Sequence, residues 1–162
     1  MECVLGTSDE HLSLLEHLSP LHSRLSSVIV TTPQAVALVD ALKCLSFTRA
    51  VALPVLGIVE NMSGYVCPCC GEISNIFSTG GGASMAEKEG VRFLGSLPVD
   101  TELVTLLDAA EVSEENKGTP NSDDHETGFP LLQRYLKTSS WPLFKEIVHK
   151  ALENITNTEQ PS

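Results

Sequence analysis

The run Pro54 to Val59 is short, apolar and without alternation between apolar and polar positions. A strand with one wet face alternates; one that does not is covered on both faces, which is the situation inside a parallel sheet. Two more short segments read as strands, the β-branched Val28-Ile29-Val30-Thr31 and Arg92-Phe93-Leu94-Gly95. Helical spacing fills the gaps between them. Ala35 to Ala50 repeats Val36, Val39, Leu42 and Phe47, and Ala83 to Gly90 closes on a glycine suited to a helix C-cap. Thr101 to Ala110 follows Asp100, a good N-cap, with Leu103, Leu106 and Leu107 facing one way. A short amphipathic helix from an N-cap at Ser8 to about Ser19 comes first and stops at Pro20. Strands separated by helices mean right-handed crossovers, so the fold class is α/β, a parallel sheet flanked by helices.

Composition narrows the function. Taken alone, 162 residues with 42% hydrophobic and 19% charged side chains are the numbers of one ordinary globular domain. Ten Lys and Arg against 21 Asp and Glu give a formal charge of −11, so the basic footprint of nucleic-acid or anionic-membrane binding is lacking. The longest apolar run, Ala50 to Val59, is about half of what spans a bilayer. No leader is visible at the start, and a cytoplasmic location is expected.

Residues 111–140 are read as an acidic, disordered insertion, since Glu111 to Gly128 has Val112 as its only large apolar residue and cannot offset its ordering entropy. Residues 141–155 regain amphipathicity through Leu143, Ile147, Val148 and Leu152, as a final helix covering one face of the sheet.

The chemistry concentrates in Cys67-Pro68-Cys69-Cys70, three of the chain's five cysteines. Cys67 and Cys70 have the spacing of a metal knuckle, stiffened by Pro68 and followed by Gly71. Zinc or an iron-sulfur cluster wants about four protein ligands, and no second Cys-x-x-Cys exists, so only half a site is present. Remote cysteines or histidines complete it, or a second copy brings its own pair across a two-fold axis. Thioredoxin-like redox chemistry is the competing reading, weakened by Gly71 where a helix would have to start. Cys44, among apolar residues of a helix, reads as an inert buried thiol.

Six segments then carry a resemblance: Gly6-Thr7-Ser8-Asp9-Glu10-His11, Thr31-Thr32-Pro33-Gln34, Gly57-Ile58-Val59-Glu60-Asn61-Met62-Ser63-Gly64, Cys67-Pro68-x-Cys70, Gly80-Gly81-Gly82 and Leu94-Gly95-x-Leu97-Pro98-Val99-Asp100. In this order, from about Gly6 to Val104, the chain resembles the Mrp and MinD-like P-loop nucleotide-binding proteins, and among them the shorter-subunit type of the eukaryotic cytosolic Fe-S cluster assembly scaffolds. The resemblance implies the C-terminal part of a MinD-like P-loop NTPase fold, with residues 1–110 as a partial domain, a cluster loop at 61–82 and the 141–155 helix belonging to the same domain. It implies a 4Fe-4S cluster shared between two chains through Cys67 and Cys70, ATP and Mg²⁺ as family cofactors, and Asn61 near the adenine base, where its bland alternative is a loop Asn bonding its own backbone. The partners implied are a second copy or a longer nucleotide-binding subunit, and apo iron-sulfur proteins as recipients.

The departures matter as well. The phosphate-loop pattern Gly-x-x-x-x-Gly-Lys-Ser/Thr occurs nowhere in these residues, so no ATP hydrolysis is expected from this polypeptide by itself. Val4-Leu5 replace two family prolines and Glu2 stands where the family has its Mg²⁺-organising Asp, so the start reads as a different exon or a truncated gene model. Ile73 stands where the nearest subfamily has another Cys, and Gly80-Gly81-Gly82 reads as a mobile hinge rather than a phosphate cradle. The rival functions are a zinc-binding or regulatory truncated subunit and a non-functional fragment.

Overall fold

A computed structural model describes residues 9–66, 69–70, 72–74, 80–115 and 130–158. The chain runs α1 (Asp9–His17), a 3₁₀ turn (Ser19–Arg24), β1 (Ser27–Thr31), α2 (Ala35–Ala50), β2 (Val55–Glu60), β3 (Tyr65–Val66), β4 (Ile73–Ser74), α3 (Gly81–Glu89), β5 (Phe93–Ser96), α4 (Thr101–Glu115), α5 (Pro130–Tyr135) and α6 (Trp141–Thr158). The proposed N-cap Ser8 lies outside the described residues.

The α/β expectation holds. β1, β2 and β5 form a parallel sheet in the order β1-β2-β5. The central strand β2 is apolar without alternation because both its faces are covered. Ile58 joins Ile29, Ala41, Leu45, Met85 and Ala86 under α2 and α3, while its neighbour Val59 joins Leu94 and Ile147 under α6. Ile58 and Leu94 are each fully buried, one in either core. α6 lies so near the sheet that a Cβ on Gly95 would stand 2.8 Å from Ile147 Cγ1.

Helix ends follow their sequence signals. Gly90 caps α3 in the left-handed conformation, and Asp100 Oδ1 accepts the backbone N–H groups of Glu102 (2.9 Å) and Leu103 (3.1 Å) at the start of α4. Two readings need correction. Of the periodic set in α2, Val36 (76%), Val39 (53%) and Leu42 are exposed and Phe47 packs on His11 of α1; Leu38, Ala41, Leu45 and Thr48 face the sheet side instead. The helix is apolar on most sides, so period alone did not select the buried stripe. The stretch read as structureless is also helical at both ends: α4 continues to Glu115, and α5 begins at Pro130. Thr138 and Ser140, in the same stretch, are buried and hydrogen-bonded to each other. Residues 116–129 lie outside the described set.

Candidate functional site

The cysteines sit on a small antiparallel ladder. Tyr65 pairs with Ser74 and Val66 with Ile73, so residues 67–72 connect β3 to β4. Cys69 and Cys70 lie in a turn and are exposed, as is Glu72. Cys67, the other member of the expected pair, lies outside the described residues, and no group of three metal-ligating side chains is found among those described. Ile73, at the family's extra cysteine position, is a strand residue here. Cys44 is part-buried on α2 rather than fully buried as expected.

Two strand residues on each side hold little by themselves. The hairpin's first leg is anchored by the sheet. Beyond the end of β2, Leu97 donates its N–H to the Glu60 carbonyl (2.8 Å), Ser63 N–H donates to Leu97 (2.9 Å), and Val99 N–H donates to Gly64 (2.8 Å). A parallel bridge then joins Tyr65 to Val99. The chain leaving β2 therefore stays laced to the chain leaving β5 up to the first residue of the hairpin.

Where the chain is next described, at the start of α3, it is fixed by Glu60, which the sequence reading passed over. Its side chain is 1% exposed. Oε1 accepts the Ser63 hydroxyl at 2.6 Å and the Gly80 N–H at 3.3 Å, and Oε2 accepts the Gly82 N–H at 2.5 Å. Gly80 and Gly82 open α3, so the carboxylate supplies what the helix N-terminus lacks: an acceptor and a negative charge. The glycines have two distinct tasks. Gly80 takes the left-handed conformation at φ 80°, while a Cβ on Gly82 would stand 3.1 Å from both Glu60 Cβ and Oε2. Close approach and a fixed cap replace the hinge expected there. The overlooked signal was a lone carboxylate ending an apolar strand, a residue type seldom buried without partners.

Asn61 follows directly. Its backbone N–H donates to the Thr31 carbonyl at 2.7 Å, and its side-chain Oδ1 accepts the Met62 N–H at 2.8 Å. That short-range bond supports Met62 at φ 56°, a backbone conformation uncommon for a non-glycine residue.

Among the described residues, those leaving the parallel strands offer a triphosphate no cationic clamp. The segments leaving the parallel strands, residues 32–34, 61–64 and 97–100, hold no Lys or Arg, and the acidic groups there are Glu60 and Asp100. Phosphoryl chemistry needs cationic or N–H clamps on the phosphate oxygens, so no step through ATP is derived from these residues.

A model of the ParA-type NUBPL iron-transfer P-loop NTPases matches residues 5–128. The chain belongs to this iron-transfer P-loop family. Within it, the chain is 41% identical over 176 residues to a cytosolic Fe-S cluster assembly factor cfd1 of Aspergillus clavatus, covering 97% of this chain and 56% of the relative. It is 52% identical over 106 residues to the factor CFD1 of Yarrowia lipolytica, covering 65% and 36%. Among solved structures, a nucleotide-binding protein from Archaeoglobus fulgidus in complex with ADP, with cobalt found in it, is 32% identical at a TM-score of 0.53, over 68% of this chain and 44% of that one. The chain thus spans about half the length of the curated relatives it matches, and the α/β architecture of the nucleotide-binding P-loop proteins is shared.

Proposed function

We propose that this chain takes part in assembling and passing on iron-sulfur clusters in the cytosol, holding a 4Fe-4S cluster as cargo through the thiolates of Cys67 and Cys70 together with the same pair from a second chain. The observation that carries the reading is Cys70, exposed in the connection of a hairpin rather than buried in a core, on a chain of an iron-transfer family. Thiolate sulfur is the donor iron-sulfur clusters take, and about four are needed; a chain that supplies two of them is completed by the same pair from a second copy across a two-fold axis. The cytosolic setting and the assembly role are those in the names of the relatives. The second chain is another copy or a longer nucleotide-binding subunit, and apo iron-sulfur proteins are the recipients. Residues 1–110 and 141–155 act as one unit in this reading, with the cluster loop at 61–82; Asn61 stands near the base of any nucleotide bound to the complete assembly.

The test is anaerobic reconstitution with ferrous iron and sulfide. Wild-type protein should gain absorbance at the blue edge of the visible, hold equal iron and sulfide at one cluster per two chains, and shift to a dimeric mass on loading. Cys67→Ala/Cys70→Ala should do none of these. Loading that survives in the double variant, or a tightly held zinc ion in protein purified without air, would overturn the assignment.

A further inference from the structure

Both legs of the segment that carries the cysteines end on one carboxylate. Ser63 lies three residues after Glu60 and Gly80 and Gly82 lie twenty and twenty-two after it, yet all three donate to its two oxygens. We propose that Glu60 is a positioning residue for the cargo: a buried latch that closes the base of the cysteine loop and holds the hairpin in the orientation in which its thiolates meet a cluster. This rests on the cluster-holding reading above.

Among the described residues no ion pair reaches Glu60, so its charge is balanced by a hydroxyl, two amide dipoles and the N-terminal end of α3. All three donors belong to the loop or its far end, so the burial of this group is compensated only while the loop is closed. Opening either leg strands a carboxylate that is 1% exposed. The geometry has no slack on the helix side, because Gly82 already sits where a Cβ would press on Glu60 Cβ and Oε2 at 3.1 Å. A cysteine pair on a tethered loop loses less conformational freedom on meeting a cluster than the same pair on an untethered one.

Glu60→Gln is isosteric, yet it turns one acceptor into an NH₂ facing donors. Ser63→Ala removes one leg's contact and leaves the other, which makes it the safer variant for folding. Both are reconstituted beside wild type, and cluster loss to a chelator is timed from the visible absorbance. Amide hydrogen exchange is followed in the cluster-free proteins over residues 61–66, 72–74 and 80–84, with β1 and α2 as internal reference. Glu60→Gln should shorten cluster lifetime about tenfold, the scale of one hydrogen bond to a charged group, and Ser63→Ala by a smaller factor of about three. Exchange should rise in the three loop segments while β1 and α2 keep wild-type protection.

Wild-type lifetimes in both variants would overturn the latch and leave the cluster reading standing. Exchange that rises equally in β1 and α2 would show a merely structural role and overturn it too. Failure of wild type to take up any cluster is the failure of the parent reading, and removes the latch's cargo with it.

Discussion

The side-chain amide of Asn154 on α6 donates to the carbonyl of Leu56 on β2 at 2.7 Å, across 98 residues of chain. Leu56 is the residue that the β1–β2 register passes over, since Ser27 pairs with Val55 and Val28 with Gly57. The bulge turns a backbone acceptor out of the ladder, and the last helix fills it; Arg92 holds the same Asn from its other side through Oδ1. Asn154→Ala should therefore cost about 1–3 kcal/mol, the penalty for an acceptor left unmet, read as a lower urea midpoint with an unchanged slope. A variant within a few tenths of a kcal/mol of wild type would show that water replaces the amide.

Leu94 is fully buried between β2 and α6, against Val59 and Ile147. Leu94→Ala should destabilise by about 2–5 kcal/mol, combining lost transfer energy and a residual cavity. Chemical denaturation measures it; a loss below about 1 kcal/mol would mean that α6 collapses into the space.

The phenol of Tyr135 ionises above its usual range. Burial is the main cause; the Ser140 hydrogen bond lowers the value part of the way back, and the negative charge of Asp100 raises it again. The folded chain thus prefers the protonated phenol, so this contribution is whole below the unfolded value near 10.0 and is lost as pH rises through the higher folded value. Melting temperatures of wild type should fall more steeply above about pH 10 than those of Tyr135→Phe, with parallel curves at neutral pH. Equal alkaline slopes would refute this.

Cys69 and Cys70 are adjacent, exposed and in one turn. If the Cys-Pro-x-Cys spacing selects the donors, Cys69→Ser should load cluster as wild type does while Cys70→Ser loses it. Iron and sulfide analysis of the two reconstituted variants decides, and equal loss in both would make Cys69 a donor.

The sheet was legible because burial on both faces leaves a mark on composition: Ile58 and Val59 look alike in sequence while pointing into different cores. The caps at Gly90 and Asp100 were legible because each rests on a local bond that one residue type makes well. What stayed hidden is tertiary. The inward stripe of α2 depends on where the sheet lies, and Val36 and Leu38 are equally apolar to a pattern. The Cys-Pro-x-Cys spacing marked a loop as the place of interest without showing the hairpin under it, and Glu60 gave no sign at all: its partners at Ser63, Gly80 and Gly82 meet only after the loop has closed. The stretch after Ala110 is poor in apolar side chains, which reads as disorder, yet Glu111, Glu114 and Glu115 are good helix formers and continue α4 as far as Glu115.

The bridge between Tyr65 and Val99 has a mechanical consequence. Asp100, the next residue, is the one whose carboxylate starts α4. The first leg of the hairpin and the start of α4 are therefore tied to one stretch of backbone, a single residue apart, so neither can be displaced without straining the other's hydrogen bonds.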